Sequence, residues 1–185
     1  RALEVEVARE HRYCQKTDQR YIDELNRRRP KSMEELSRIW YRGDSRSGDH
    51  YDSSRYRGVN LHSVFQKGTI EFRLYNSTVE HAGKIKAYIQ LSLAITAQAL
   101  NQHSASRIKT VSENERYTFR TWLLRMGLIG DEFATARKHL LENLDGNIAW
   151  RDPAQAHRQQ EQPVNYAETE QVDDEEQGSG PVMSM

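Results

Sequence analysis

Seven residues at 69–75, TIEFRLY, constrain this chain more than any other stretch. Ile70, Phe72 and Leu74 alternate with Thr69, Glu71, Arg73 and Tyr75. A period of two places one apolar and one charged face on an extended strand. Residues 55–65, RYRGVNLHSVF, precede it across Gln66-Lys67-Gly68, a turn signal, so the two segments are expected to pair as an antiparallel hairpin. The next stretch has another period. Between Ala87 and Leu100 only Gln90, Ser92, Thr96 and Gln98 are clearly polar. A helix apolar nearly all round belongs in an interior, so a long helix over residues 80–102 is expected beneath the sheet.

Shorter helices surround this centre. Residues 1–29 read as two helical stretches broken near 15–18, with Thr17 or Asp18 capping the second and the run Arg27-Arg28-Arg29-Pro30 ending it. Ser32 followed by Glu35 is a capping-box pattern ahead of Met33, Leu36, Ile39 and Trp40. Residues 42–54 are polar and read as a loop. Ser112 and Glu115 repeat the capping-box pattern before a helix that Gly127 ends, and Asp131 opens a last helix that Gly146 ends. The fold class that follows is α+β, a short antiparallel sheet packed on helices.

Composition bounds the remainder. The 185 residues balance 27 basic against 27 acidic side chains, and only 36% are hydrophobic, below the roughly 45–50% of a typical domain. The shortfall sits at the C-terminal end. Residues 154–185 hold one base, Arg158, against seven acids, a net of −6, which leaves +6 on residues 1–153. This Gln- and Glu-rich segment cannot bury enough surface to offset its ordering entropy, so 154–185 is expected to be a disordered acidic tail. Shielding of a basic site in the same chain is one role for it; keeping the chain in solution is the plainer one. Zero net charge argues against a nucleic-acid partner. No run approaches the roughly 20 apolar residues of a membrane span. A single cysteine, Cys14, forms no internal disulfide and points to a reducing, cytoplasmic setting. The opening at Arg1, in what reads as mid-helix, suggests the C-terminal part of a longer protein.

Candidate chemistry gathers on the hairpin. Glu71 and Arg73, two apart on a strand, share a face. A carboxylate can hold a hard cation such as Mg²⁺, and a guanidinium can grip a phosphate or carboxylate bidentately. A solvated ion pair is the plain alternative on spacing alone. Arg55 and Arg57 share one parity on the preceding segment, and Asn60 and His62 the other; a bulge at Gly58 would bring both pairs to one side. Three arginines, an amide, an imidazole and a carboxylate would then form one patch suited to a polyanion. The seven histidines lack the i, i+4 spacing of a zinc helix, and Gly127-Leu-Ile-Gly130 lacks the Lys-Ser/Thr of a phosphate loop. The basic run at 27–31 reads as a solvated helix end.

The block SRYRGVNLHSVFQKGTIEFRLYNSTVEHAGKIKAYIQLSLAITAQA at 54–99 resembles the amidoligase family, a branch of the carboxylate–amine ligases similar in fold to glutamine synthetase and glutamate–cysteine ligase. RYCQ at 12–15 and RTWLLRMGLIGDEFATARKHLLENLDGNIAWR at 120–151 also resemble it, so the likeness covers most of 1–151. It implies that 1–153 is the C-terminal part of a catalytic domain built as an antiparallel funnel. It implies ATP-dependent amide or peptide bond formation through an acyl phosphate, with ATP and Mg²⁺ as cofactors and small-molecule or peptide carboxylates and amines as substrates. On that resemblance Glu71 would be a Mg²⁺ ligand. Arg73 would grip the acceptor carboxylate or the transferring phosphate, and Arg55 would bind phosphate. Arg57, Asn60 and His62 would lie near the nucleotide, and Asn76 is a looser candidate. The family's earlier strands, with further metal-binding acids and a His-x-His-type segment, have no counterpart here. The resemblance therefore implies an incomplete site, inactive alone, and an exposed sheet edge that invites homo-oligomers. The alternative is a non-catalytic remnant that binds an anion or a partner through the same patch.

Overall fold

The computed structural model describes residues 12–43, 49–79, 81–108, 110–152 and 154–155. In chain order these form α1 (Gln19–Arg28), α2 (Met33–Trp40), a 3₁₀ turn (Ser53–Tyr56), β1 (Val59–Asn60), α3 (His62–Lys67), β2 (Glu71–Phe72), α4 (Ala82–Asn101), α5 (Glu115–Arg125), a second 3₁₀ turn (Asp131–Phe133) and α6 (Ala134–Leu141). The architecture is α+β. The expected first helix and the acidic tail fall largely outside the described residues.

The first half is an α-hairpin with an aromatic core. Asp18 caps α1, its carboxylate accepting from the Arg20 N–H at 3.0 Å. Arg29 ends the helix in the left-handed region, φ 46°, one residue before Pro30. Ser32 Oγ accepts from the Glu35 N–H at 3.2 Å, while Glu35 reaches back to the Lys31 N–H at 2.7 Å. The reciprocal bond lands one residue earlier than in the standard box. Tyr21, Ile39, Trp40 and Tyr41 are buried between these helices, with Leu25, Leu61 and Phe65 against them.

The sheet is smaller than the sequence pattern suggests. β1 and β2 pair antiparallel in the register Val59–Phe72 and Asn60–Glu71, and the hairpin arms extend no further as strands. Residues 62–67 coil into α3 instead of continuing the first arm, and Gly68, φ 70°, closes that helix by donating to the Val64 carbonyl at 2.9 Å. The cause is legible in hindsight: Leu61, Val64 and Phe65 are spaced i, i+3, i+4, a helical period that outweighs the alternation. Residues 12–15, expected to be helical, instead make a turn and an isolated parallel bridge between Gln15 and Arg57. Gln15 N–H donates to the Tyr56 carbonyl at 2.6 Å and Gly58 N–H to the Gln15 carbonyl at 2.8 Å. Gly58 marks a close approach: a Cβ there would stand 2.5 Å from the Leu74 side chain.

The second half is helical. Ala87, Leu91, Phe119, Leu123, Leu128, Ala136, Leu140, Leu141 and Leu144 form its core. The long helix α4 does not lie beneath the sheet; its main packing partner is α6. Gly83 permits the approach, since a Cβ would meet His139 Nε2 at 2.7 Å. One stripe of α4 is buried, whereas Ile89 and Leu93 are 57% and 65% exposed. The segment after β2 reaches α4 through Tyr75, stacked on Tyr88 at 4.5 Å and hydrogen-bonded to Ser92 at 2.7 Å. Burial pushes the Tyr75 hydroxyl pKa up, against the opposing effect of the Ser92 bond. Lys84 pairs with Glu142, which also meets His139. Burial raises the Glu142 pKa, but the interactions with Lys84 and His139 outweigh it and the net shift is downward. Among the described residues no helix is long and apolar enough to cross a membrane.

The cap of α5 is Asn114, not Ser112. Asn114 Oδ1 accepts from the Tyr117 N–H at 3.0 Å, and its amide donates to the Trp150 carbonyl at 2.7 Å. Ser112 serves the turn before it, accepting from the Asn114 N–H at 3.1 Å. The α6 start likewise slips, since Asp131 opens a 3₁₀ turn and α6 begins at Ala134. Because Asn114 is 1% exposed and holds both the helix and the 150 segment, Asn114→Ala should cost about 2 kcal/mol in urea unfolding, against about 1 for Ser32→Ala.

Candidate functional site

The site is built where the short ladder meets the 12–15 segment. Glu71 lies on β2, opposite Asn60 on β1. Asn60 is 3% exposed. Its Nδ2 donates to Glu71 Oε2 at 2.6 Å, and its Oδ1 accepts from the Ser63 N–H at 3.3 Å, at the start of α3. The other carboxylate oxygen, Oε1, meets Arg73 Nη1 at 3.1 Å. Glu71 is thus held by a buried amide on one side and a guanidinium on the other, while its side chain stays 47% exposed. Arg73 is anchored through its backbone as well. Its N–H donates to the Gly58 carbonyl at 2.8 Å, its carbonyl accepts from Cys14 Sγ at 2.9 Å, and its Nε donates to the Tyr13 carbonyl at 3.3 Å.

The arginines rest on aromatic faces. Arg55 sits over Tyr51 at 4.8 Å and over Tyr56 at 4.7 Å, donating to the Tyr56 hydroxyl at 2.8 Å. Arg73 approaches the same Tyr56 ring at 5.6 Å, so Tyr56 links the two guanidiniums. Arg57 turns the other way, over Tyr21 at 4.5 Å and Trp40 at 5.7 Å. Its hydrogen bonds to the Lys16 carbonyl and the Tyr21 hydroxyl are long, 3.4 Å each. The Nε atoms of both Arg55 and Arg57 are buried without a hydrogen-bond partner.

His62 sits inside the first-half core, 3% exposed. Its Nδ1 shares a hydrogen bond with the Tyr41 hydroxyl, and its Nε2 is buried and unpartnered. Burial, reinforced by the negative charges of Asp52 and Asp49, pushes the Tyr41 pKa up to about 12. The six sequence candidates therefore do not form one patch. Glu71, Asn60, Arg73 and Arg55 gather on one side through hydrogen bonds and the Tyr56 ring, while Arg57 and His62 enter the aromatic core. Arg55 also lies in a 3₁₀ turn rather than a strand. Asn76 is exposed, with no role in this cluster. Sequence reasoning put Tyr21 and Trp40 on helix faces and gave no site role to either of them or to Tyr13, Tyr41, Tyr51 and Tyr56. The interleaving of tyrosine with arginine in YDSSRYR was the available signal.

As a metal site the constellation offers little alone. Among the described residues no group of three or more His, Cys, Asp or Glu side chains could hold an ion, and Glu71 already bears two donors. Mg²⁺ commonly binds through one or two carboxylates together with substrate phosphates and waters, so Glu71 fits an ion carried on a phosphate and not a protein-only site.

A family model described as "Putative amidoligase enzyme" matches residues 1–96. The chain belongs to this family. No curated protein and no solved structure matches it. In amidoligase terms, the matched span holds the whole Arg55–Arg73 cluster, while the block at 120–151 lies beyond it.

Because Tyr41 holds its proton more tightly in the fold than in the unfolded chain, where its pKa is near 10, this contribution is full below pH 10 and is lost as pH rises through 12. Tyr41→Phe should cost about 1 kcal/mol near pH 7 and should flatten the decline in stability between pH 10 and 12 relative to the parent, read by urea unfolding across that range.

Proposed function

We propose that the Glu71–Arg73–Asn60–Arg55 cluster is part of the working site of an ATP-dependent carboxylate–amine ligase. The observation that carries this reading is the posture of Glu71. Its carboxylate is oriented by a buried amide and a guanidinium, yet it remains open to solvent. ATP would supply the phosphoryl group that converts a substrate carboxylate to an acyl phosphate; ADP leaves, then an amine displaces phosphate to form the amide.

The chain's residues have separate tasks in this reading. Arg73, fixed at its backbone and at Nε, presents its remaining guanidinium edge to an anionic oxygen, and Arg55 offers a second positive charge from across Tyr56. Such preorganised charges stabilise a transferring phosphoryl group without reorganising. Glu71 contributes one oxygen ligand to a Mg²⁺ borne on the phosphates. Asn60 keeps that carboxylate aimed. The glutamine synthetase-like funnel, the small-molecule or peptide carboxylate and amine substrates and a homo-oligomeric state belong to the same proposal.

A second reading is anion binding without chemistry. It is favoured by the Arg73–Glu71 ion pair, which already neutralises the only carboxylate in the cluster. The two differ at Glu71, since an anion site gains nothing from a central negative charge and a metal site requires it.

The test is ADP release from Mg-ATP, measured on the protein with a mixture of amino acids and glutamyl compounds. Turnover should require an amine and fall at least about 100-fold in Glu71→Gln. Amine-independent release, or turnover unaltered in Glu71→Gln, would overturn the ligase reading. No turnover, with phosphate binding kept or tightened in Glu71→Gln, would establish the second.

A further inference from the structure

A second basic feature lies outside the candidate site. A cleft of about 390 Å³ runs between α1 and α2, lined by Arg20, Arg28, Arg38 and Arg42 together with Glu24 and Tyr21. Among the described residues Glu24 is its only acid, and it is already engaged by Arg27 and Arg28 at 2.8 Å each. Those arginines lower its pKa, chiefly through the Arg27 hydrogen bond. Arg20, Arg38 and Arg42 are exposed and make no ion pair with any carboxylate among the described residues. Four guanidiniums in one cleft repel one another, screened over a Debye length of about 8 Å at physiological salt. The local excess of three positive charges is half of the +6 carried by residues 1–153.

The balancing charge is in the same chain. Residues 154–185 carry −6, and Asp173, Asp174, Glu175 and Glu176 place four carboxylates in succession. Seventeen residues lie between Gln155, the last described, and Asp173, a contour of about 60 Å. A domain of about 150 residues has a radius of gyration near 15 Å, so the acidic run can reach any point on its surface. Tethering makes the encounter intramolecular, with an effective concentration of the order of millimolar. Arginine's planar fork pairs carboxylates bidentately, so successive acids can engage successive arginines.

We propose that the cleft of Arg20, Arg28, Arg38 and Arg42 is a docking site for the chain's own acidic segment, centred on Asp173–Glu176. Occupation would also be felt at Arg57, because Tyr21 is shared: Arg20 lies 5.3 Å and Arg57 4.5 Å from its ring.

The experiment uses the full chain with a nitroxide attached at Ser179→Cys; Cys14, 3% exposed, stays unlabelled, as mass spectrometry verifies. Amide signals of residues 19–28 and 38–43 should lose at least half their intensity at 20 mM NaCl. They should recover at 500 mM, where the Debye length is about 4 Å, and also in Arg38→Glu/Arg42→Glu. Should that variant fail to fold, the quadruple change Asp173→Asn, Asp174→Asn, Glu175→Gln, Glu176→Gln gives the same readout from outside the helices. Absence of selective broadening at low salt would overturn the proposal, as would broadening that persists in either charge variant. Shifts of these amides on adding inorganic phosphate, with no broadening from the label, would assign the cleft to a free anion and overturn it equally.

Discussion

One buried side chain, Asn60, does two jobs that the rest of the site depends on. Its amide nitrogen donates to Glu71 across the ladder, and its carbonyl oxygen accepts from the Ser63 N–H where α3 begins. A two-residue ladder is too short to be rigid by itself. The amide couples it to a helix whose apolar side, Leu61 and Phe65, packs into the Tyr21–Trp40–Tyr41 core. Placement of the carboxylate is therefore inherited from the first-half core through a single hydrogen-bonded residue.

Aromatic stacking provides the second constraint. Guanidiniums are weakly hydrated and planar, so they rest on tyrosine and tryptophan faces at modest desolvation cost while keeping their in-plane N–H groups for anions. Arg55 and Arg73 share Tyr56 in this manner, and Arg57 uses Tyr21 and Trp40. The stacking reduces the repulsion-driven splay expected of three neighbouring arginines, and it separates them into two groups. One group faces Glu71. The other, Arg57, rests against Tyr21 and Trp40 of the first-half core.

How much of this could be read from sequence depended on the range of the forces involved. The common face of Glu71 and Arg73 follows from strand periodicity, which is local, and so do the Asp18 and Ser32 caps. The Asn60–Glu71 contact was not legible, since cross-strand register depends on how many residues α3 consumes between the arms. The long helix misled for the opposite reason. Its composition is apolar on most sides, but burial is decided by what packs against it, and α6 covers one stripe only. Asn114 displaced Ser112 as a cap because its amide could also reach Trp150, a tertiary bond no local pattern encodes. The arginine cleft between α1 and α2 combines residues from two helices, so a linear scan sees only the basic run at 27–31.

Asn60 holds Glu71 in place. A double-mutant cycle of Asn60→Ala and Glu71→Ala, followed by urea unfolding at pH 7, tests it most directly. Hydrogen bonds to charged groups contribute about 1.5–3 kcal/mol, so the account predicts a coupling above about 1 kcal/mol. Additivity within about 0.3–0.5 kcal/mol, the behaviour of independent sites, would contradict it.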